Sequence, residues 1–244
     1  MRRYRLRVPA AEAEPALARM LDLFPGGVEE ERDGDDVVLA GYADEPPAAG
    51  FESDEVEPGW EDRWRAYHRP VTVGRIWVGP PWLECEGDSP LKIVIDPGRA
   101  FGTGGHGSTR AALQLLQRLD PCPALDLGCG SGVLAIAAAK LGHAPVVAVD
   151  VDPSAVAATR ANAMRNGVAV DARRVDVLDA GLPAAKLALA NIALDVVEAL
   201  GGRLDVGRLV TSGYLDTDRP SVSGYDRLER RDLDGWAADA HGRR

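Results

Sequence analysis

The 244-residue sequence has few cysteines and no long apolar run, and each shortage excludes a class of protein. Its three cysteines, Cys85, Cys122 and Cys129, form no C-x-x-C pair, which argues against a disulfide framework or a metal site and indicates reduced thiols. No stretch approaches the roughly 20 apolar residues of a membrane span, and the start MRRYRLRV lacks the apolar run of a signal peptide. We therefore expect a cytoplasmic protein with no metal and no membrane partner.

Basic residues are also scarce, with 28 Lys and Arg against 38 Asp and Glu, for a formal net charge of −10. A general nucleic-acid binder needs a basic face to displace counterions, so direct nucleic-acid binding is not expected. An acidic surface attracts a basic protein partner over long range, although acidity also serves solubility alone.

Residues 1–50 are predicted to form a small α+β domain with the order β-α-β-β. Apolar residues alternate with arginine over 3–8, which predicts a half-buried strand, and AEPALARMLDLF has one apolar helical face. Two strand-like runs, 28–32 and 37–42, then flank the turn sequence DGDD. Residues 51–70, rich in Pro, Gly and acid, are interpreted as a linker that includes a helix.

Four of the five tryptophans lie within residues 60–82. Trp60, Trp64 and Tyr67 have helical spacing, and Trp77 and Trp82 flank VGPP. We favour an aromatic clamp that packs the linker helix onto the next domain, because aromatics at this spacing are most often core. A substrate-docking surface is the alternative.

From residue 90 onward short apolar runs alternate with helical patterns, which predicts an α/β domain over 71–244 with a doubly wound, mostly parallel sheet. The predicted strands are 91–95, 124–128, 145–150, 172–177, 186–192 and 208–214, and the predicted helices are 108–119, 132–141, 153–166 and 194–203.

Two glycine-rich loops are candidates for a cofactor-binding site. A nucleoside site needs a buried strand, a glycine turn, a helix start and an acid about 20 positions further on. In ALDLGCGSGVLAI the strand 124–128 turns at Gly128 and Gly130, and Asp150 ends the next strand, 22 residues past Gly128. The earlier loop GTGGHG at 102–107 fails this test, because the sequence about 20 positions further on, DPCP, lies at the end of a predicted helix and not of a strand.

The spacing of the second loop favours S-adenosyl-L-methionine, which would leave as S-adenosyl-L-homocysteine. Val133 occupies the third-glycine position of dinucleotide-binding loops, and D-x-G-x-G-x-G is the pattern associated with the sulfonium cofactor. Asp126 would orient the loop or reach the methionine ammonium through water, and Asp150 would accept from the ribose hydroxyls. Asp176 would accept from the adenine amine, or it is a solvated turn acid.

The sequence from Trp60 to Leu215 resembles the PrmA family, methyltransferases of the large-subunit ribosomal protein L11. The resemblance rests on IDPGRAFGTGGHGSTR, LDLGCGSGVLAIAAAKLG, VDVDPSAV, ANAMRNGV and ANIAL. It implies a Rossmann-like class I methyltransferase that methylates lysine or α-amino groups of a protein, with a small N-terminal domain that recognises the substrate.

The resemblance also implies further site residues. The GTGGHGST block would fold over the cofactor as a second wall, with Thr109 in contact and Phe101 and Thr103 nearby. Asn191 would accept hydrogen bonds from the target nitrogen, or else cap the following helix. His106 is either a general base or a residue that orders the loop.

The chain departs from the family pattern in three places. Gly107 and Ser108 replace the usual Pro or acidic residue and the first Thr, and the glycine is expected to loosen the loop. Residues 216–224 are too few for the usual crossover helix, which would leave one face of the sheet edge uncovered or covered by a partner subunit. The N-terminal domain matches only loosely.

Three other functions stay open on sequence alone. The nearest is a class I methyltransferase for another protein lysine or a small amine. The second is a module that binds the cofactor without turnover. A nicotinamide oxidoreductase is the most distant of the three.

Overall fold

The computed structural model describes residues 2–24, 28–34, 36–43, 50–55, 69–85, 91–96, 104–178 and 181–244. The chain forms two compact units, Met1–Tyr67 and His68–Arg244. The predicted linker helix with Trp60, Trp64 and Tyr67 lies outside the described residues, as do Phe101 and Thr103 of the first glycine-rich loop. The roles predicted for these residues therefore stay predictions.

In the described part of the small unit, an antiparallel sheet is covered by one α-helix. Its elements are β1 (Arg2–Pro9), α1 (Ala13–Leu23), β2 (Val28–Asp33), β3 (Asp36–Ala43) and β4 (Glu52–Glu55). The sheet order is β2-β3-β1-β4. The buried residues Ala16, Met20 and Phe24 are four positions apart, the spacing of residues on one helix face. The predicted small α+β fold is confirmed.

Strand β4 is missing from the prediction, and it extends the small sheet past the predicted boundary at residue 50. Its sequence ESDE has the acidity of a solvated linker. In the structure β4 pairs antiparallel with β1, where Arg5 forms ion pairs with Glu52 at 3.6 Å and Asp54 at 3.0 Å. The arginines of β1 thus offset an acidic strand that composition alone assigns to a linker.

The large unit begins with a separate three-stranded sheet of β5 (Val71–Val73), β6 (Ile76–Gly79) and β7 (Leu91–Val94). Only β7 is predicted from the sequence, because the tryptophans of VTVGRIWVGPPW suggest a clamp more strongly than they suggest strands. Trp77 lies on β6 and is only 3% exposed, so this tryptophan serves packing.

A seven-stranded sheet follows, and its order is β10-β9-β8-β11-β12-β14-β13. Strands β8 to β12 are parallel, and β14 pairs antiparallel with both β12 and β13. The predicted doubly wound, mostly parallel sheet is confirmed. The elements are α2 (Gly107–Leu116), β8 (Ala124–Leu127), α3 (Val133–Lys140), β9 (Val146–Asp150), α4 (Pro153–Arg165), β10 (Asp171–Arg174), β11 (Leu187–Asn191), α5 (Leu194–Ala199), β12 (Arg208–Leu215), β13 (Tyr225–Leu233) and β14 (Trp236–Arg243).

The two faces of this sheet are covered differently. One face packs against α2, α3 and α4 in a single apolar cluster. Against the other face lie α5 and the irregular chain around it, including buried Leu200 and Leu204. Residues 216–224 contain no helix, as predicted, but Val222 of this segment is buried in the same cluster. The expectation of an uncovered face is therefore wrong for this part of the sheet.

A buried polar network lies beside this segment, where β12, β14 and β13 adjoin. The hydroxyl of Tyr214 donates to Oδ2 of Asp239 at 3.0 Å, and Thr211 is 3.0 Å from Nε2 of His241. Arg230 donates to Asp239 at 2.9 Å and to the carbonyl oxygens of Asp216 and Asp218, each at 2.9 Å. Arg230 thereby ties residues 216–224 to the sheet.

Candidate functional site

A cavity of about 460 Å³ opens at the carboxyl ends of β8, β9, β10 and β11. The carboxyl edge of an open parallel sheet is where such folds bind ligands. The residues predicted to bind the cofactor or the amine that the structure describes all line this cavity, whereas the candidate base His106 does not. They are Thr109, Asp126, Gly128, Gly130, Asp150, Asp176 and Asn191.

The glycine turn after β8 has a backbone that only glycine adopts readily. Gly128 and Gly132 have φ angles of 70° and 85°. The amides of Gly128 and Cys129 both donate to the carbonyl oxygen of Val149, at 2.8 and 3.0 Å. A Cβ at Gly128 would lie 2.3 Å from Cγ2 of Ile192. The turn is therefore packed against the end of β11 as well as bonded to β9.

Asp150 connects the end of β9 to this turn. Its Oδ2 accepts from the amide of Gly130 at 3.0 Å, and its Oδ1 accepts from the amide of Asp152 at 3.0 Å. A carboxylate has about four acceptor sites, so each oxygen can accept one more hydrogen bond. Asp150 is thus fixed by the backbone and still able to bind a pair of hydroxyl groups.

Asp126, on β8, is buried with only 2% of its surface exposed. Its Oδ2 accepts from the amide of Ala135 at 3.0 Å, which satisfies a donor in the first turn of α3. Burial raises the pKa of Asp126 to about 7, and the nearby charge of Asp150 adds to the effect. The side chain of Asp126 therefore ties strand β8 to the first turn of α3, and the roles predicted for it toward the loop and the methionine ammonium stay predictions.

Asp176 lies two residues past β10, where its Oδ1 accepts from the amide of Leu178 at 2.9 Å. This bond closes a local turn, and Asp176 also lines the cavity. Its predicted hydrogen bond from the adenine amine stays a prediction. Around it the cavity wall is apolar, formed by residues that sequence reasoning missed, namely Val151, Val175, Val177 and Leu178. Valines on both sides of the acid in VDVL are the signal that could have revealed this wall.

Asn191 ends β11 and contacts helix α2. Its Nδ2 donates to Oγ1 of Thr109 at 3.1 Å, and Thr109 is fully buried. Asn191 does not cap the following helix, because the N-cap position of α5 is Ala193. With one amide hydrogen bonded to Thr109, the amide oxygen and the second N–H of Asn191 are the groups that it can offer to a ligand.

Cys129 lies within the glycine turn and lines the cavity. Its Sγ accepts from Oγ1 of Thr159 at 3.2 Å. Burial raises the pKa of this thiol to about 12. The cysteine is therefore protonated at neutral pH.

His106 and Gly107 stand at the start of α2, where the β13–β14 hairpin packs. Nδ1 of His106 is 2.8 Å from Oγ of Ser108, and the ring lies edge-on to Trp236 with centroids 4.3 Å apart. Burial lowers the pKa of His106. A Cβ at Gly107 would lie 2.7 Å from the carbonyl oxygen of Leu233. Gly107 therefore does not loosen the loop as expected, since it lets the hairpin approach the helix.

Comparison with known proteins gives consistent results. The family model described as ribosomal protein L11 methyltransferase (PrmA) matches residues 43–233. The L11 methyltransferase of Aliivibrio fischeri (strain MJ11) is 39% identical over 190 residues, which cover 72% of this chain and 62% of that protein. The protein of the same name from Symbiobacterium thermophilum is 40% identical over 199 residues, covering 75% and 65%. The chain thus spans a little under two thirds of these relatives.

Among solved structures, the chain is similar to the crystal structure of ribosomal protein L11 methylase from Lactobacillus delbrueckii subsp. bulgaricus. The TM-score is 0.64 with 27% sequence identity, and the match covers 72% of this chain and all of that one. In the part of the chain that the structure describes, no helix is long and apolar enough to cross a membrane.

Proposed function

The chain belongs to the PrmA family of ribosomal protein L11 methyltransferases, and from this we propose that it transfers methyl groups from S-adenosyl-L-methionine to amino groups of L11. The observation that carries the proposal is one cavity in which carboxylates from three strand ends lie beside an asparagine whose amide nitrogen is already bonded. The small unit would recognise the basic substrate protein.

The donor set of the cavity fits the proposed cofactor. Asp150 would accept from the ribose hydroxyls, and the apolar residues around Asp176 would enclose the adenine. Asp126 would face the methionine ammonium. The described residues that line the cavity include no lysine or arginine, so a pyrophosphate would meet carboxylates without a compensating cation. This favours a cationic nucleoside over a nicotinamide dinucleotide.

When bound, S-adenosylmethionine supplies a methyl group on a positively charged sulfur. The contribution of the chain is to bind and orient the amine. The Asn191 amide, fixed by Thr109, presents its oxygen to an amine hydrogen. A lysine of pKa about 10.4 is neutral in only about 0.04% of molecules at pH 7, which costs about 4.6 kcal/mol, whereas an α-amino group near 7.8 loses about 1 kcal/mol. The Asn191 amide would therefore orient only the small fraction of the amine that is neutral.

The direct test is mass spectrometry of purified L11, alone and among the other large-subunit proteins, after incubation with the chain and S-adenosylmethionine. We expect mass increments of whole methyl groups on L11. Methylation of another protein instead would favour the alternative methyltransferase. Binding of the cofactor with no methylated protein would favour a binding module.

Replacing Asn191 with alanine is expected to lower kcat about tenfold, since one oriented hydrogen bond to the amine is lost. The affinity for S-adenosylhomocysteine should stay within a few-fold, because the amide serves the amine and not the nucleoside. Turnover assays and calorimetry measure the two effects. Equal losses in both would mean that Asn191 serves binding only.

Cofactor binding is expected to tighten between pH 6 and pH 8, because the ammonium favours the ionised form of Asp126, whose pKa is raised to about 7. A raised carboxyl pKa gives the ligand-free fold a stability contribution that is complete below about pH 4 and is lost as the pH rises through 7. Calorimetry of S-adenosylhomocysteine binding across this range measures the effect. Asp126→Asn should flatten the profile, and an unchanged profile would exclude Asp126 as its source.

A further inference from the structure

Strand β12 contains a bulge directly beside the end of β11. The pairing of β12 with β14 shifts register between Ser212 and Tyr214, and Gly213 has a φ of 100°. Residues with a side chain rarely adopt this conformation, and a bulge inserts one extra residue that re-aims the strand. The backbone conformation of this bulge therefore favours glycine at position 213.

The atoms nearest to Gly213 belong to the backbone of Ile192. A Cβ at Gly213 would lie 2.3 Å from the carbonyl oxygen, 2.8 Å from the nitrogen and 2.9 Å from the carbonyl carbon of Ile192. The amide of Ile192 in turn donates to the carbonyl oxygen of Ser212 at 3.1 Å. A flexible side chain could move away from an added methyl group, but this backbone is bonded to the bulge.

Ile192 is also held from the opposite direction. Its Cγ2 occupies the space that a Cβ at Gly128 would need, with a separation of 2.3 Å. The residue before it, Asn191, donates to Thr109 at 3.1 Å. The short segment Asn191–Ile192 is thus enclosed by the glycine turn, the β12 bulge and helix α2.

We propose that Gly213 is a positioning residue for the methyl acceptor: by admitting the Ile192 backbone into the β12 bulge, it sets where the Asn191 amide stands. The inference rests on the proposed function, in which Asn191 orients the amine. In this proposal Gly213 acts through the segment Asn191–Ile192 and contacts neither the amine nor S-adenosylmethionine. Its effect should therefore appear in turnover and not in nucleoside affinity.

The test compares Gly213→Ala with Gly224→Ala. Gly224 also has a positive φ, 85°, but a Cβ there would meet nothing within 4 Å. Both variants bear the cost of a methyl group at positive φ, and only Gly213→Ala displaces Ile192. We expect Gly213→Ala to lower kcat on L11 about tenfold, as a displaced orienting group does, with S-adenosylhomocysteine affinity within threefold. Gly224→Ala should keep both within twofold.

A kcat within twofold for Gly213→Ala, or a parallel loss of affinity and kcat, would overturn the inference. The side-chain amide resonances of Asn191, measured by NMR without substrate, give a readout that needs no turnover. They should shift in Gly213→Ala and stay in place in Gly224→Ala. If the unaltered protein methylates nothing, the proposed function fails, while this comparison still decides the role of Gly213.

A measurement on the unaltered protein covers the case in which Gly213→Ala does not fold. Hydrogen exchange of the Ile192 amide should be as slow as that of the amides that pair β12 with β11, because the amide is bonded to the bulge. Exchange as fast as in exposed residues of 216–224 would show that the bulge does not hold the segment.

Discussion

Asp150→Ala is expected to weaken the binding of S-adenosylhomocysteine about a hundredfold, or about 3 kcal/mol, since two hydrogen bonds from the ribose to a charged group are lost. The substitution also releases the amides of Gly130 and Asp152, which the carboxylate holds at 3.0 Å each. The glycine turn would then lose its bond to the side chain at the end of β9. Calorimetry at a fixed pH measures the loss.

The neighbouring acid provides a matched control. Asp152 caps α4 by accepting from the amide of Ser154 at 2.8 Å, and it does not line the cavity. Asp152→Ala should therefore cost about 1 kcal/mol of stability, as the loss of a helix cap does, and leave the affinity unchanged. If the two variants weaken binding equally, Asp150 does not bind the ribose.

Arg230→Met is expected to lower the free energy of unfolding of the large unit by about 3 kcal/mol, because it removes the nearer of the two arginines that pair with the buried carboxylate of Asp239 and leaves only Arg227, at 3.8 Å. The side chains of Arg230 and Asp239 are 13% and 0% exposed, and their atoms lie 2.9 Å apart. The same substitution frees the carbonyl oxygens of Asp216 and Asp218. A fall in Tm of about 10 °C would follow, measurable by calorimetry.

Two further variants give this prediction its control. Arg231 is the next residue on β13, and its ion pair with Glu229 is about one third exposed, so Arg231→Met should cost less than about 1 kcal/mol. The double variant Arg230→Met with Asp239→Leu removes both charges and should recover part of the loss. A single-variant cost below 1 kcal/mol would show that the pair does not hold residues 216–224 to the sheet.

The parallel strands were predictable because each signals itself locally. Strands β8, β9 and β11 are short apolar runs between helical patterns, and this alternation indicates a parallel sheet. Strand β14 gave no such signal, because WAADAHGR contains the polar residues Asp239 and His241. Their burial depends on partners from other strands, namely Arg230 and Tyr214 for Asp239 and Thr211 for His241. A buried charge is paired across the fold, and periodicity within one segment does not reveal its partner.

In the candidate site, too, contacts within one segment were predictable and contacts between distant segments were not. Asp126, Gly128 and Asp150 follow a spacing that the chain carries within 25 residues, so their approach to one another was foreseeable. The hydrogen bond between Asn191 and Thr109 joins residues 82 positions apart. The sequence predicts that each lies at the cofactor site, and both line the cavity, but their mutual bond depends on how α2 packs on the sheet.

If the cavity binds S-adenosylmethionine, as proposed, it must not present a second nucleophile to the methyl group. Cys129 lines the cavity, and a thiolate there would compete with the amine for the methyl group. Because burial raises the pKa of this thiol to about 12, Cys129 is protonated at neutral pH. In the proposed enzyme, burial of Cys129 would thereby keep this thiol from competing with the amine for the methyl group.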